Sequence, residues 1–349
     1  MTKIDIISGF LGAGKTTLIQ KLLREALQDT KVVLIENEFG EIGIDGGFLK
    51  ESGVEMKEMN SGCICCSLVG DFGASLQEVL ATYRPERILI EPSGVGKLSD
   101  VIRAVQGVET DAEVSLSSAV AVVDASKCKM YAKNFGEFFL NQIAHAGLVI
   151  LSRTGNISEE KTAKAVEIIR EHNQKATIIT TPWEELGGRQ ILQAMEAETD
   201  WMQELLEETR AHHSHAHHDE SEGHGGHCHH GEEGGHHHEH GADCNCGCHG
   251  HEHAHHHADE VFTSWGRETA SSYTKEEIAA ALRALEDEKT YGLILRAKGM
   301  LPDGSGNWTY FDYVPGETDI RDGSPEVTGK ICVIGSGMRE DRLEALFMK

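Results

Sequence analysis

Positive charge is scarce in this sequence. Its 349 residues include 32 Lys and Arg against 57 Asp and Glu, which gives a formal charge of -25 at pH 7. Nucleic-acid affinity depends largely on a Lys/Arg surface that displaces counterions from phosphates, so we expect no DNA or RNA partner. Runs of the roughly 20 apolar residues that a membrane helix needs are also missing, and the first residues show no charged and apolar signal-peptide regions. We therefore expect a cytoplasmic protein that is neither secreted nor inserted into a membrane.

One segment, residues 211–260, has no Lys or Arg at all but carries 10 acidic side chains. It also holds 19 of the 21 histidines and few apolar residues. Because so little apolar surface cannot offset the entropy of ordering the backbone, the segment is predicted to be a disordered His/Cys-rich linker. It divides the chain into a first body over residues 1–210 and a second body over residues 261–349, which are the sizes of a large and a small domain.

The first body alternates short Ile- and Val-rich runs with amphipathic stretches. This pattern predicts an α/β fold with a mostly parallel sheet that helices cover on both faces. Its strands are predicted over Lys3–Ile7, Lys31–Ile35, Arg87–Ile90, Ala119–Val123, Leu148–Leu151 and Ala176–Thr180. The second body follows the order β-α-β-β-β-α, which predicts a small α+β domain with helices on one sheet face. Its strands are predicted over Val261–Trp265, Tyr291–Arg296, Trp308–Val314 and Lys330–Ile334.

A phosphate-binding motif follows the first predicted strand. Residues 9–16 read Gly-Phe-Leu-Gly-Ala-Gly-Lys-Thr and match G-x-x-x-x-G-K-[ST] just before a predicted helix. The loop amides and the helix N-terminus attract phosphate, Lys15 reaches the β and γ oxygens, and Thr16 binds Mg²⁺. The predicted nucleotide contacts in this motif are Gly9, Gly12, Ala13, Gly14, Lys15, Thr16 and Thr17. A chance match in a Gly-rich chain is the alternative, and the strand and helix context argues against it.

Two predicted strands end in a carboxylate. Residues 88–94 read Ile-Leu-Ile-Glu-Pro-Ser-Gly, which places Glu91 at the sheet edge where ligands bind in such folds. We expect Glu91 to serve the Mg²⁺ shell and to act in catalysis together with Lys15 and Thr16. Asp124 ends a strand in the same way. For Asp124, capping of a helix before Ser126 is an equally good interpretation.

Three cysteines lie within four residues, at Cys63, Cys65 and Cys66, downstream of an acidic segment over residues 36–41. Three such neighbours cannot all face a core in one direction. Thiolates together with a strand-end carboxylate bind Zn²⁺, Cu⁺, Ni²⁺ or Co²⁺ well, so we predict a metal site with an open position. Buried structural thiols and a redox pair in C-x-x-C spacing are the alternatives.

The linker offers a second set of metal ligands, because neutral imidazoles and thiolates bind borderline metals near neutral pH. Ligation there is predicted for His236, His237, His238, Cys244, Cys246, Cys248 and His249. An artificial purification tag and low-complexity filler are the alternatives, although no His run exceeds three residues. Ligand softness does not choose among Zn²⁺, Ni²⁺, Co²⁺ and Cu⁺.

Several segments together resemble one family, the CobW-type metallochaperone GTPases, which are similar to the nickel-inserting GTPases of urease and hydrogenase maturation. The segments are GFLGAGKTTL, ENEFGEIGID, NSGCICCS, EPSG and QIAHAGLVIL, followed by the His-rich linker, FTSWG and LRAKG. The resemblance implies a P-loop GTPase that uses GTP and Mg²⁺. It also implies an internal metal site in or beside Glu36, Glu41 and Cys65, with Cys63 and Cys66 taking part in ligation or transfer. The second body then corresponds to the small domain that meets client proteins.

The sequence departs from this family at the base-reading motif. Where the family carries [N/T]-K-x-D, residues 152–155 read Ser-Arg-Thr-Gly. Gly155 has no carboxylate to accept both guanine N1–H and N2–H₂, so we expect weak discrimination between GTP and ATP. Ser152 and Thr154 are expected to contact the base or ribose, and the stem of Arg153 to stack on the ring.

We therefore predict a nucleoside-triphosphate hydrolase, with GTP as the first choice, that holds a transition metal and delivers it to a client metalloprotein or a metal-cofactor biosynthesis enzyme. Zn²⁺ is the first expectation, with Co²⁺ and Ni²⁺ as alternatives. The γ-phosphate and Mg²⁺ are expected to order residues 36–45, and hydrolysis to relax them and change the cysteine geometry. Turnover is expected to be slow because no arginine finger is identifiable.

Two other functions remain open at this point. One is a passive metal store with a regulatory nucleotide site, and the other is an ATP-using P-loop enzyme such as a small-molecule kinase. A nucleotide- or metal-dependent homodimer is a further hypothesis.

Overall fold

A computed structural model of the protein describes residues 1–36, 55–58, 69–109, 114–197, 261–324 and 328–348. All of them lie within one compact unit, which spans Met1–Gln203 and His257–Lys349. The boundaries predicted at residues 210 and 260 lie outside the described residues and stay predictions. The same holds for the predicted metal ligands Glu41, Cys63, Cys65, Cys66, His236, His237, His238, Cys244, Cys246, Cys248 and His249.

The first body is built on a parallel sheet, as its alternating sequence pattern predicts. Its strands are β1 (Thr2–Gly9), β2 (Val32–Glu36), β3 (Glu55–Glu58), β4 (Arg87–Glu91), β5 (Val114–Asp124), β6 (Leu148–Ser152) and β7 (Thr177–Ile179). They lie in the order β3-β2-β4-β1-β5-β6-β7, and every neighbouring pair is parallel. Strands β2, β4 and β6 are buried along their whole length, which is typical of strands covered on both faces. The predicted fold class is confirmed.

Helices cover this sheet in two groups. They are α1 (Lys15–Glu25), α2 (Val69–Tyr83), α3 (Leu98–Glu109), α4 (Cys128–Asn134), α5 (Gly136–Ala144), α6 (Glu159–His172) and α7 (Gly188–Glu196). Helices α1 and α7 pack on each other and bury one apolar cluster with alternate residues of the central strands, such as Ile7, Leu34 and Leu89. Helices α2, α3 and α5 pack along one another outside that cluster. Within the described ranges, no helix is long and apolar enough to cross a membrane.

The second body is an antiparallel sheet with helices on one face, as predicted. Its elements are β8 (Thr263–Thr269), α8 (Lys275–Ala284), α9 (Glu288–Tyr291), β9 (Leu293–Pro302), β10 (Trp308–Val314), β11 (Glu317–Gly323), β12 (Gly329–Ser336) and α10 (Glu340–Phe347). The strand order is β11-β10-β9-β12-β8. The predicted order of elements was wrong in two respects, since the short helix α9 and the strand β11 were both missed. Strand β11 bears on the site. Its residues Glu-Thr-Asp-Ile-Arg-Asp-Gly are almost all polar, so they lack the apolar alternation by which strands are recognised.

An aromatic cluster holds the second body on the first. Phe262 is almost fully buried and lies 6.0 Å from the Phe10 ring, 5.2 Å from Phe135 and 5.2 Å from Phe138, measured between ring centroids. Phe262 precedes strand β8, which begins at Thr263 and not at Val261 as predicted. Because Phe10 belongs to the phosphate-binding motif, the second body enters the fold directly beside that loop.

Candidate nucleotide site

The phosphate-binding loop joins β1 to α1 through a turn that only glycine adopts easily. Gly12 and Gly14 have φ angles of +68° and +103°, a region that favours glycine. The amide of Ala13 donates to the Phe10 carbonyl at 3.1 Å, which closes the turn. At the start of the loop, an ideal Cβ on Gly9 would lie only 2.4 Å from the Val122 carbonyl oxygen of β5. The loop conformation thus fits the one that the motif predicts.

Lys15, Thr16 and Glu91 meet at the sheet edge. The Thr16 hydroxyl donates to Glu91 at 3.0 Å (Oε1) and 3.2 Å (Oε2), and Lys15 Nζ lies 4.0 Å from Glu91 Oε1. Glu91 occupies the last position of β4, next to β1. The loop after Glu91 is held in turn by buried Gln142, whose side-chain amide donates to the Gly94 carbonyl at 3.1 Å. The three predicted catalytic residues are therefore neighbours.

This group fits a nucleotide-bound Mg²⁺ ion. A hydroxyl and a carboxylate are the hard oxygen donors that Mg²⁺ prefers, alone or through its waters. In the structure these two groups, Thr16 Oγ1 and Glu91, already lie within hydrogen-bond distance of each other. Lys15 adds positive charge on the same side of the loop, where the β- and γ-phosphates are expected. The roles of these residues in catalysis stay predictions.

The predicted metal centre is only partly described. Glu36 ends β2 as a buried side chain and is the register partner of Glu91 on β4. Residues in parallel register share a sheet face, so Glu36 lies on the nucleotide side of the sheet. Within the described residues no group of three or more His, Cys, Asp or Glu is placed to hold a metal. Cys128, which is described, is buried, and burial raises the pKa of its thiol to about 12, so it is a poor thiolate donor.

Arg153 lies across the phosphate-binding loop. It follows buried Ser152 at the end of β6, with a φ of +60°, and its Nη1 donates to the Gly12 carbonyl at 3.0 Å. Asp124 anchors the same guanidinium, with 3.2 Å between its Oδ2 and Arg153 Nη1. Asp124 also accepts from the Ser126 amide at 2.9 Å, whereas α4 begins later, with Lys127 as its N-cap. Asp124 is thus an anchor and a turn cap, and the interpretation as a helix cap is wrong.

The region around Gly155 has room for a side chain. Gly155 lies in a 3₁₀ turn, Thr154–Asn156, and an ideal Cβ there would meet only Pro182, at 3.8 Å. Thr154 itself is buried. Trp183, one residue after Pro182, donates from Nε1 to the Leu151 carbonyl at 3.0 Å and packs against Gly14. The tryptophan therefore has a packing role and supports the wall of the site.

Charged residues of the second body form the opposite wall of the site, and the sequence did not reveal them. A cleft of about 390 Å³ is lined by the phosphate-binding loop and Glu91 on one side. On the other side lie Arg296, Asp312, Glu317, Asp319 and Arg321, from β9, β10 and β11. The sequence gives little signal for them, since β10 carries one charged residue, Asp312, and β11 is almost entirely polar.

The fold and this site define a P-loop nucleotide-binding protein, in which a glycine loop, a lysine and a strand-end carboxylate meet at the edge of a parallel sheet. The family model described as "CobW/HypB/UreG, nucleotide-binding domain" matches residues 3–180. The chain belongs to this family, as the sequence resemblance indicated. The match covers β1 through β7 and contains Glu91, Asp124 and Arg153.

The curated relatives carry zinc-related names. The chain is 32% identical over 160 residues to the zinc chaperone YeiR of Escherichia coli (strain K12), covering 46% of this chain and 49% of that protein. It is 32% identical over 204 residues to the zinc chaperone CobW of Sinorhizobium sp, covering 50% and 57%. It is 29% identical over 190 residues to the zinc-regulated GTPase metalloprotein activator 1 of Schizosaccharomyces pombe, covering 52% and 46%. The chain thus spans about half the length of the curated relatives it matches.

Proposed function

We propose that this protein hydrolyses GTP with Mg²⁺ and uses the nucleotide state to hold and release a transition metal, Zn²⁺ first, for a client metalloprotein or a metal-cofactor biosynthesis enzyme. The observation that carries the proposal is the contact of Thr16 with Glu91 at the phosphate-binding loop, at 3.0 and 3.2 Å, inside the span that matches the family. The names of the zinc-related relatives support zinc as cargo. Co²⁺ and Ni²⁺ remain the alternatives.

The residues divide the work of phosphoryl transfer. The loop amides between Gly9 and Lys15 bind the phosphates, and Lys15 neutralises charge that moves onto the β–γ bridge. Thr16 and Glu91 would hold Mg²⁺, which, when bound, neutralises phosphate charge and fixes the triphosphate for in-line attack by water. Asp124 and Arg153 keep the far end of the loop in place for the base and ribose.

The metal site is proposed next to the γ-phosphate. Glu36 is adjacent to Glu91 in the sheet, and in the sequence it precedes Glu41 and the cysteines Cys63, Cys65 and Cys66. A segment that begins so close to the nucleotide responds directly to the presence of the γ-phosphate. Loss of that phosphate then changes the ligand geometry, and the metal is released to a client. A homodimer that depends on nucleotide or metal is also part of the proposal.

Use of ATP is a second candidate because of Gly155, which removes the guanine-reading carboxylate. A passive metal store would bind nucleotide without turnover. Measuring phosphate release with GTP and with ATP distinguishes ATP use and passive metal storage from the main proposal.

Phosphate release should be measured with GTP and with ATP over a Mg²⁺ titration. The wild type is expected to turn over GTP slowly and only with Mg²⁺. Glu91→Gln should raise the Mg²⁺ requirement by roughly 10- to 100-fold, as loss of an outer ligand does. Glu86→Gln is the matched control, because Glu86 is an exposed carboxylate one residue before β4 that accepts from the Lys31 amide at 3.1 Å, outside the cleft. Turnover without Mg²⁺, or none with either nucleotide, would contradict the proposal.

A further inference from the structure

The two faces of the second sheet differ in character. On β10, Phe311 and Tyr313 point into the apolar core with α8 and α10, whereas Asp312 and Val314 alternate to the other face. That other face also carries Arg296 of β9 and three charged residues of β11, Glu317, Asp319 and Arg321. Opposite charges are thus paired on the face away from the apolar core, Arg296 with Asp312 and Arg321 with Asp319.

The charged face lies directly on the phosphate-binding loop. An ideal Cβ on Gly12 would come within 2.2 Å of Val314 Cγ1, so β10 and the loop are in close contact. Arg153 joins the two bodies, since it donates to the Gly12 carbonyl at 3.0 Å and, from Nε, to Glu317 of β11 at 2.8 Å. The buried ring of Phe262 provides a second, independent attachment beside Phe10. The face is therefore fixed over the site.

Two arginines of this face line the same cleft as Lys15 and Glu91. Arg296 pairs with Asp312 at 2.9 Å, and its side chain is 15% exposed. Arg321 pairs with Asp319, with its side chain 35% exposed. Each arginine is thus held by a carboxylate of its own sheet and oriented by it. A triphosphate is a more highly charged acceptor than a single carboxylate, and guanidinium groups bind phosphate oxygens with two parallel hydrogen bonds.

We propose that Arg296 and Arg321 contact the nucleotide phosphates, so that the second body supplies in cis the arginine that sequence analysis could not identify. In hydrolysis, a water oxygen bonds to the γ-phosphorus and the bond to the β–γ bridging oxygen breaks. Both electrons of that bond stay on GDP, while one water proton remains on the phosphate and the other passes to solvent. The guanidinium groups donate to the oxygens on which negative charge grows. Glu317 acts on Arg153 as a positioning residue.

This inference rests on the proposed function, and the experiment separates the two. Single-turnover GTP hydrolysis and affinity for GDP with aluminium fluoride should be measured on the full chain for wild type, Arg296→Ala, Arg321→Ala and the double variant. We expect the double variant to lose on the order of 10³-fold in rate, as removal of an arginine finger does. It should also lose the gain in GDP affinity that aluminium fluoride gives, with the affinity for GDP alone within about threefold of wild type.

Arg267→Ala is the matched control, because Arg267 of β8 pairs with Glu344 at 3.1 Å within the same body, outside the cleft. Arg296→Lys and Arg321→Lys keep the charge without the two-pronged donor, and they decide the question if the alanine variants do not fold. Wild-type rates and wild-type aluminium fluoride affinity in the double variants would overturn the inference while leaving GTP hydrolysis intact. A wild type without GTP turnover, whose GDP affinity aluminium fluoride also leaves unchanged, would overturn both.

Discussion

Lys15 is the residue on which nucleotide chemistry depends most directly. We predict that Lys15→Ala lowers GTP turnover by at least about 10²-fold, because it removes the charge that neutralises the β–γ oxygens. Phosphate release measures this, and circular dichroism should show an unchanged fold. Lys21→Ala is the control on the same helix, since Lys21 pairs with Glu25 one turn away at 3.1 Å and does not line the cleft. Normal turnover in Lys15→Ala would show that the phosphate-binding motif does not act in GTP hydrolysis.

Recognition of the nucleotide base is predicted to depend on Gly155. Because Gly155 carries no carboxylate, we predict that the wild type prefers GTP over ATP only weakly, far less than relatives that retain the carboxylate. Gly155→Asp should restore a preference for GTP, since its Cβ would meet only Pro182, at 3.8 Å. Sites built around such a paired contact reject analogues by roughly 10⁴- to 10⁵-fold. Competition binding measures both proteins. A wild type that already discriminates by about 10⁴ would show that another residue reads guanine.

Residues of the site differed in how far the sequence could predict them. Lys15, Thr16 and Glu91 could be proposed from the sequence because each is defined by its immediate neighbours, a glycine loop or an apolar strand end. Arg296 and Arg321 could not be found in this way. Their place at the site depends on how the second sheet packs on the first body, and no local pattern encodes that contact.

Strands β1 and β4 carry a buried ion pair at the end of the sheet away from the nucleotide. Asp5 is fully buried, and its Oδ2 lies 3.1 Å from Arg87 Nη1, while the Ser118 hydroxyl donates to its Oδ1 at 2.7 Å. Arg87 also contacts Glu196 of α7. Burial raises the pKa of Asp5, and the charge of Arg87 opposes that shift. The positive charge of Arg87 therefore balances the negative charge of the buried Asp5 carboxylate.

We predict that Arg87→Met lowers the free energy of unfolding by about 3–5 kcal/mol, because Asp5 is left as an uncompensated buried charge. Arg87 lowers the folded-state pKa of Asp5 against the effect of burial, so this pKa is higher in the variant than in the wild type, and the loss should grow as pH rises from about 4 toward 7. Urea unfolding at both pH values measures this. Lys3→Met is the control, because Lys3 pairs with Glu196 at the surface, with its side chain 49% exposed. Its cost should stay below about 1 kcal/mol. Equal costs for the two variants would contradict the role of the buried pair.

Elements were predictable where burial imposes a pattern. The Ile- and Val-rich runs became β1, β2, β4, β5, β6 and β7, with ends that moved by up to five residues. Strand β11 escaped because one of its faces is charged and it carries a single large apolar residue, Ile320. A strand that faces a nucleotide cleft has no reason to alternate in the usual way. One of the elements that the sequence pattern missed thus contributes to the site.

For the molecule as a whole, two tiers of metal binding are predicted. Deletion of residues 211–258 should lower the number of bound Zn²⁺ ions by several and leave one tighter site that depends on Cys63, Cys65 and Cys66. Equilibrium dialysis with metal analysis gives both numbers, and Cys65→Ser in the deleted chain should remove the remaining site. Cys128→Ser is the control, since that thiol is buried. If deletion of residues 211–258 removed all bound metal, or none of it, the prediction of two classes of metal site would be wrong.

The central claim is that the nucleotide state controls metal affinity, and one titration tests it most directly. The Zn²⁺ dissociation constant of the chain without residues 211–258 should be measured by competition with a chromophoric chelator, with Mg²⁺ and either GDP or a non-hydrolysable GTP analogue. The account predicts tighter Zn²⁺ binding with the analogue, by a factor within about 5 to 150, and an equal effect of Zn²⁺ on the affinity for the analogue. The same dissociation constant in both nucleotide states would contradict it.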